Sequence, residues 1–163
     1  MSNETNNETS RIAEDSLDDM KGRFLTFYID DAIYGIELYY IADIVNIQPI
    51  TPVPGLPYYY KGIVNLRGKV APIIDVRLKF GQEERPYDAR TCILVVDVAD
   101  MQVGLVVDRV AEVVTINSED RNPPPDLGMR NEERFLSSIA NIGGKVILAI
   151  DCDKFFQSDR RPN

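Results

Sequence analysis

The chain contains no histidine, so any chemistry would have to come from its carboxylates, thiols, hydroxyls, lysines and arginines. That removes the commonest general base and metal ligand, and with them any Ser-His-Asp or Cys-His mechanism and any histidine phosphoacceptor. Asp97, Asp100 and Asp108 could be imagined as a metal cluster or an acid/base pair, but each falls at a strand end or turn of an acidic protein, where solvated carboxylates are the simpler expectation. A carboxylate-only enzyme such as a glycosidase needs paired acids, and the spacing supports none. Cys92 and Cys152 form neither a CxxC pair nor a metal-ligand spacing and lie beside apolar residues, so buried free thiols are expected. The run from Gly62 to Val70 approaches a phosphate-binding loop. It has one residue too many between Gly62 and Gly68, and Val70 stands where a magnesium-binding hydroxyl belongs. No GxSxG elbow exists. No catalytic residue, cofactor or metal is therefore expected.

What remains is binding, and the side chain best placed for it is Arg67. Val64–Leu66 and Val70–Ile74 are short apolar runs rich in β-branched residues, and Arg67-Gly68 between them supplies the two central residues of a hairpin turn. A turn that matches strand twist needs positive φ, which Gly68 adopts without penalty. Arg67 is then lifted into solvent at the tip.

The elements around this hairpin read as short strands. Arg23–Ile29 and Ile33–Leu38 flank a polar turn at Asp30-Asp31-Ala32, while Ile41, Ile44 and Val45 recur at helical spacing and suggest one or two helical turns. Pro49, Pro52, Pro54 and Pro57 force an extended loop ahead of Tyr58-Tyr59-Tyr60, whose rings are plausible packing or interface groups. Gln82–Arg90 is a polar connection. Thr91–Val98, Gln102–Val107 and Ala111–Ile116 read as a meander, followed by an irregular stretch over Asn117–Glu133. Phe135–Ile142 and Lys145–Ile150 form a second hairpin about Gly143-Gly144, and Asp151–Phe156 suggests a closing helical turn. The expected class is all-β in two halves, with an internal duplication plausible but not evident from self-similarity.

Asn65-Leu66-Arg67-Gly68, with Lys61-Gly62 before it and Pro72-Ile73-Ile74-Asp75-Val76-Arg77 after it, closely resembles the signature of the CheW family. Phe24–Ile29 with Tyr34-Gly35-Ile36 resembles the family's opening strand pair, Val103–Asp108 a central strand of its second half and Ile147–Asp151 its closing strand. The resemblance implies two small five-stranded SH3-like β-barrels packed around a shared apolar core, with short helical turns. It implies a domain over residues 23–157 with a boundary near residue 84, between an acidic tail at 1–22 and a C-terminal tail at 158–163. It also implies a non-enzymatic adaptor coupling the cytoplasmic tips of chemoreceptors to the regulatory domain of the histidine kinase CheA, and other copies of the family in arrays. The receptor-side residues would be Arg67, Ile41, Asp43 and Gly62, and the kinase-side residues Val103, Leu105 and Val107. Asp43 stands where the family more often carries Glu, so its carboxylate reaches one methylene less far.

Composition agrees with a protein-binding role. The net charge is −8 over 163 residues, and Glu4, Glu8, Glu14, Asp15, Asp18 and Asp19 crowd the first segment against only Arg11 and Lys21. An acidic surface repels phosphate backbones and anionic lipid, so neither nucleic-acid binding nor membrane insertion is expected. No secretory leader or apolar span is visible, and a cytoplasmic protein recruited to receptor arrays is expected.

Overall fold

The computed structural model describes residues 21–124 and 135–157. The tails expected at 1–22 and 158–163 fall outside it, apart from Lys21 and Gly22. The chain runs β1 (Arg23–Ile29), β2 (Ala32–Glu37), β3 (Ile41–Asn46), β4 (Tyr60–Leu66), β5 (Lys69–Asp75), α1 (Val76–Lys79), β6 (Cys92–Val98), β7 (Met101–Val107), β8 (Arg109–Thr115), β9 (Arg121–Asn122), β10 (Leu136–Ile142), β11 (Lys145–Ile150) and α2 (Cys152–Gln157). One sheet has six strands, counting the two-residue β9, in the order β8-β1-β2-β11-β10-β9. The other has five, in the order β3-β6-β7-β5-β4.

The two sheets are built alike. In the first half β11 runs parallel to β2 with Ala149 opposite Gly35, and in the second β5 runs parallel to β7 with Ile73 opposite Gly104. Ile139 of β10 meets Asn122, as Ile63 of β4 meets Thr51. The outer strands β3 and β8 are both bulged, between Ile41 and Asp43 in one case and opposite Leu25 and Phe27 in the other. The duplication left open by the sequence is thus present, and it is intertwined. The first half joins β1–β2 to β8–β11, and the second joins β6–β7 to β3–β5. Strands from either side of residue 84 share a sheet, so each half of the fold draws on both sides of that boundary.

Two expectations about elements are corrected. Ile41–Asn46 is a strand, with a 3-10 turn confined to Leu38–Tyr40 before it. The i, i+3, i+4 spacing fits a helix, but pairing with β6 overrides it: β-branched Ile41, Ile44 and Val45 suit the pleated state, and Ile44 is left on the exposed face. The expected meander also breaks. β6 and β7 pair with each other, whereas β8 leaves them for β1, guided by the Asp108 N–H donating to the Tyr28 carbonyl at 3.1 Å.

Facing sides of the two sheets bury a shared core that includes Phe27, Ile36, Ile74, Leu94, Leu105 and Phe155. Each half also has its own interior, around Ile73 and Ile93 in one and Phe24 and Ile147 in the other. Burying each such side chain stabilises the fold by about 1.5–3 kcal/mol, which is why the halves hold together without a disulfide; Cys92 and Cys152 are both free, the first only half-buried. Short helices close the strand ends. Asp75 caps α1 by accepting the Leu78 N–H, and the buried Lys79 of α1 places its ammonium 4.4 Å from the Phe155 ring centroid and 4.9 Å from that of Tyr59.

Candidate docking site at the mouth of the second half

The β4–β5 hairpin turns through Arg67 (φ 54°) and Gly68 (φ 83°), the left-handed pair that a tight two-residue turn demands. It projects past the sheet toward β3, the opposite outer strand. There the Arg67 guanidinium meets the Asp43 carboxylate at 2.7 Å, although the arginine side chain remains 85% exposed. β3 and β4 are the two edges of a curled sheet, so this ion pair spans its open side. Beneath it lies a cleft of about 350 Å³ lined by residues including Ala42, Val45, Leu66, Lys69 and Val95.

The receptor-side candidates divide. Arg67 and Asp43 come together, and the shorter aspartate still reaches. Ile41 lies on the same strand but is half-buried against the shared core. Gly62 is buried where β4 crosses Thr51, and a Cβ there would stand 2.0 Å from the Thr51 carbonyl oxygen. Its glycine answers to that crossing and to the reciprocal Thr51–Ile63 backbone bonds, both 2.9 Å. The kinase-side candidates Val103, Leu105 and Val107 are all buried in the shared core. β7 is covered on both faces, so its apolar run reads the same whether the next layer is the protein or a partner.

Among the described residues the first half has no counterpart to the ion pair. Glu112 of β8 takes the place of Asp43, its backbone N–H and C=O both bonded to the Thr26 hydroxyl at 3.0 and 2.6 Å, but the facing hairpin tip is Gly143. Lys145, after the turn, lines a cleft with Glu112 there, so what distinguishes the second half is an arginine within the turn itself, paired across the mouth.

A separate polar cluster lies at the seam between halves. Arg77 of α1, its side chain 7% exposed, donates to Asp30 in the β1–β2 turn at 2.8 Å and to Asp108 where β7 passes into β8, while Arg85 reaches Asp30 at 2.7 Å. The Arg77 hydrogen bond holds the Asp30 carboxyl below its ordinary range. Asp108, expected to be a solvated carboxylate, is therefore an ion-pair partner; Asp97 and Asp100 are exposed as expected. Burial pushes the Cys152 thiol well above its usual range, with Glu37 and Asp151 adding to the effect, so it is a poor nucleophile. Burial and a hydrogen bond to Asp75 likewise raise Tyr87. No group of acidic or thiol side chains among the described residues could hold a metal ion, and no helix among them is long and apolar enough to cross a membrane.

Two duplicated barrel-like halves and a charged hairpin tip are joined by a sequence match: the CheW-like domain covers residues 23–160. The chain belongs to the CheW-like domain family. It is 31% identical over 136 residues to the chemotaxis protein CheW of Klebsiella aerogenes, covering 83% of this chain and 82% of that protein. The crystal structure of the scaffolding protein TtCheW from Thermoanaerobacter tengcongensis superposes with a TM-score of 0.77 at 30% identity, over 83% of this chain and 92% of that one. Protein FrzA of Myxococcus xanthus is 25% identical over 139 residues, covering 85% of this chain and 87% of that protein. The two-barrel CheW fold is confirmed, and membership of a family of chemotaxis scaffolds makes this chain a scaffold protein and not an enzyme.

The sequence marked Arg67 and Asp43 separately, but Lys69 and the polar residues lining the cleft went unnoticed. Lys69 directly follows the turn Gly68 and was legible as a second tip cation. Val95 was not, because it comes from β6, remote in sequence.

Proposed function

We propose that the protein is a non-enzymatic adaptor of bacterial chemotaxis, coupling the cytoplasmic tips of chemoreceptors to a CheA-type histidine kinase through the kinase's regulatory domain. The observation that carries this reading is the Arg67–Asp43 pair, an exposed guanidinium held in a fixed direction over a cleft. A preset cation gives a partner a defined electrostatic contact at little ordering cost. Work of this kind is geometric: joining receptor and kinase raises their effective concentration and lets receptor conformation bias the kinase. The adaptor would act in the cytoplasm at receptor arrays, alongside other copies of itself.

Likeness to Protein FrzA favours a second reading, a paralogous scaffold of a pilus, gliding or developmental pathway. Titrating the full chain with soluble receptor fragments and with the kinase regulatory domain of the same organism tests the proposal. Binding to both, weakened by Arg67→Ala, is expected. Absence of binding to either partner would sink the coupling role, and binding only to the components of another pathway would select the second reading.

A further inference from the structure

Among the described residues few without a glycine backbone take positive φ, and Arg67 is the one at a hairpin tip that also carries a cation. The turn itself does not require this. The β10–β11 hairpin makes nearly the same turn with Gly143 (φ 59°) and Gly144 (φ 83°), against 54° and 83° at Arg67 and Gly68. Two glycines adopt that geometry without steric conflict, whereas an arginine Cβ crowds the neighbouring carbonyl. A residue held in a sparsely populated conformation persists only where its surroundings over-determine it.

The surroundings supply one specific hold. The Gly68 N–H donates to Asn65 Oδ1 at 2.9 Å, so the side chain of the penultimate β4 residue ties down the second half of the turn. Asn65 is exposed and pairs with Val70 across the hairpin, and it contributes nothing to the buried core. Asn141 stands at the matching place in the other hairpin, opposite Val146, and makes no such bond among the described residues. The hydrogen bond therefore accompanies the arginine and is missing where glycine takes its place.

We propose that Asn65 is a positioning residue for docking: it locks the turn in the left-handed form that aims the Arg67 guanidinium at Asp43 and presents its remaining edge to a partner. The functional part rests on the reading of Arg67 as a partner contact. Without the Asn65 acceptor the Gly68 amide turns to water, and residue 67 relaxes toward right-handed wells in which the strands splay and the guanidinium leaves the mouth.

The test compares full-length Asn65→Ala, Asn65→Gln, Asn65→Asp and Asn141→Ala. Three measurements are made on each: NMR of residue 67 carbon shifts with Gly68 amide exchange, thermal unfolding, and affinity for a soluble receptor cytoplasmic fragment of the same organism. Asn65→Ala should shift residue 67 away from the left-handed pattern, speed Gly68 exchange and weaken receptor binding by about tenfold, the scale of one lost hydrogen bond. Asn65→Gln, whose acceptor is displaced by a methylene, should behave like Asn65→Ala. Asn65→Asp offers an acceptor at the same place and should restore all three readouts, while Asn141→Ala changes none. The proposal is overturned if Asn65→Ala keeps the residue 67 shifts and Gly68 protection, if Asn65→Asp is as impaired as Asn65→Ala, or if affinity falls only in step with the unfolding temperature. Should the wild-type chain not bind the receptor fragment, the adaptor reading fails, and the NMR comparison still decides whether Asn65 sets the turn.

Discussion

Arg77 and Asp30 lie 2.8 Å apart across the seam, joining the helix that ends the second half's β5 to the turn that opens the first half. Asp108 closes the same guanidinium from the crossover between the halves. The cation is buried and its partners converge from both halves, so removing it leaves Asp30 and Asp108 with only the exposed Arg85 beside them.

Arg77→Ala should therefore destabilise the fold by about 1–3 kcal/mol, the scale of charge-assisted hydrogen bonds whose carboxylate partners stay partly solvated. Asp108→Asn, which keeps an acceptor for Arg77, should cost much less. Urea unfolding midpoints of both variants decide the matter, and equal losses would show that the charge on Asp108 carries the interaction.

Acid sensitivity should localise in part to Asp30. Its carboxyl is held below the ordinary value of 3.8 in the folded state, so the unfolded chain takes up the proton first as pH falls. The stabilisation is present above that ordinary value and is lost as pH drops through the depressed one. Asp30→Asn should flatten this limb of a plot of unfolding midpoint against pH, at the cost of lower stability near neutrality. An unchanged acid limb would mean that other carboxylates dominate.

At the hairpin tip, fold stability and binding should separate. Arg67→Gly relieves the left-handed strain that Arg67→Ala retains, so the glycine variant should be the more stable of the two by about 0.5–1 kcal/mol. Both should weaken partner binding. Thermal unfolding beside titration checks the order, and a more stable alanine variant would show that residue 67 is not strained.

Gly62 should be among the least replaceable residues. A Cβ would fall 2.0 Å from a backbone oxygen at a φ of 138°, so Gly62→Ala should cost more than about 2 kcal/mol, since backbone and strain must both yield. Gly55→Ala also has positive φ but open space around it, and should cost only the conformational part. Comparable unfolding midpoints for the two would remove the crossing at Thr51 as the reason for glycine.

Leu105→Ala should cost about 2–5 kcal/mol, as truncation of a packed core side chain does. Any loss of kinase binding should follow the fraction unfolded. Weakened binding by a fully folded variant would return β7 to the interface.

Local chemistry wrote much of this molecule into its sequence. The Arg67-Gly68 and Gly143-Gly144 turns, the β-branched runs beside them and the closing helix after Asp151 were all legible, because each depends on φ preference, capping or period within a few residues. The lack of histidine bounded the chemistry without reference to any fold. The tertiary structure decided what lies opposite what. Only when the sheet curls do Asp43 and Arg67 meet, only the exchange of hairpins brings Asp30 and Asp108 to Arg77, and only the second sheet turns Val103, Leu105 and Val107 from candidate surface into core. Alternation along a strand marks faces but not what covers them, and the helical spacing of Ile41, Ile44 and Val45 yielded to the ladder that β6 supplies. Pairings between distant segments are selected by the apolar area they jointly bury, which no local stretch of sequence encodes.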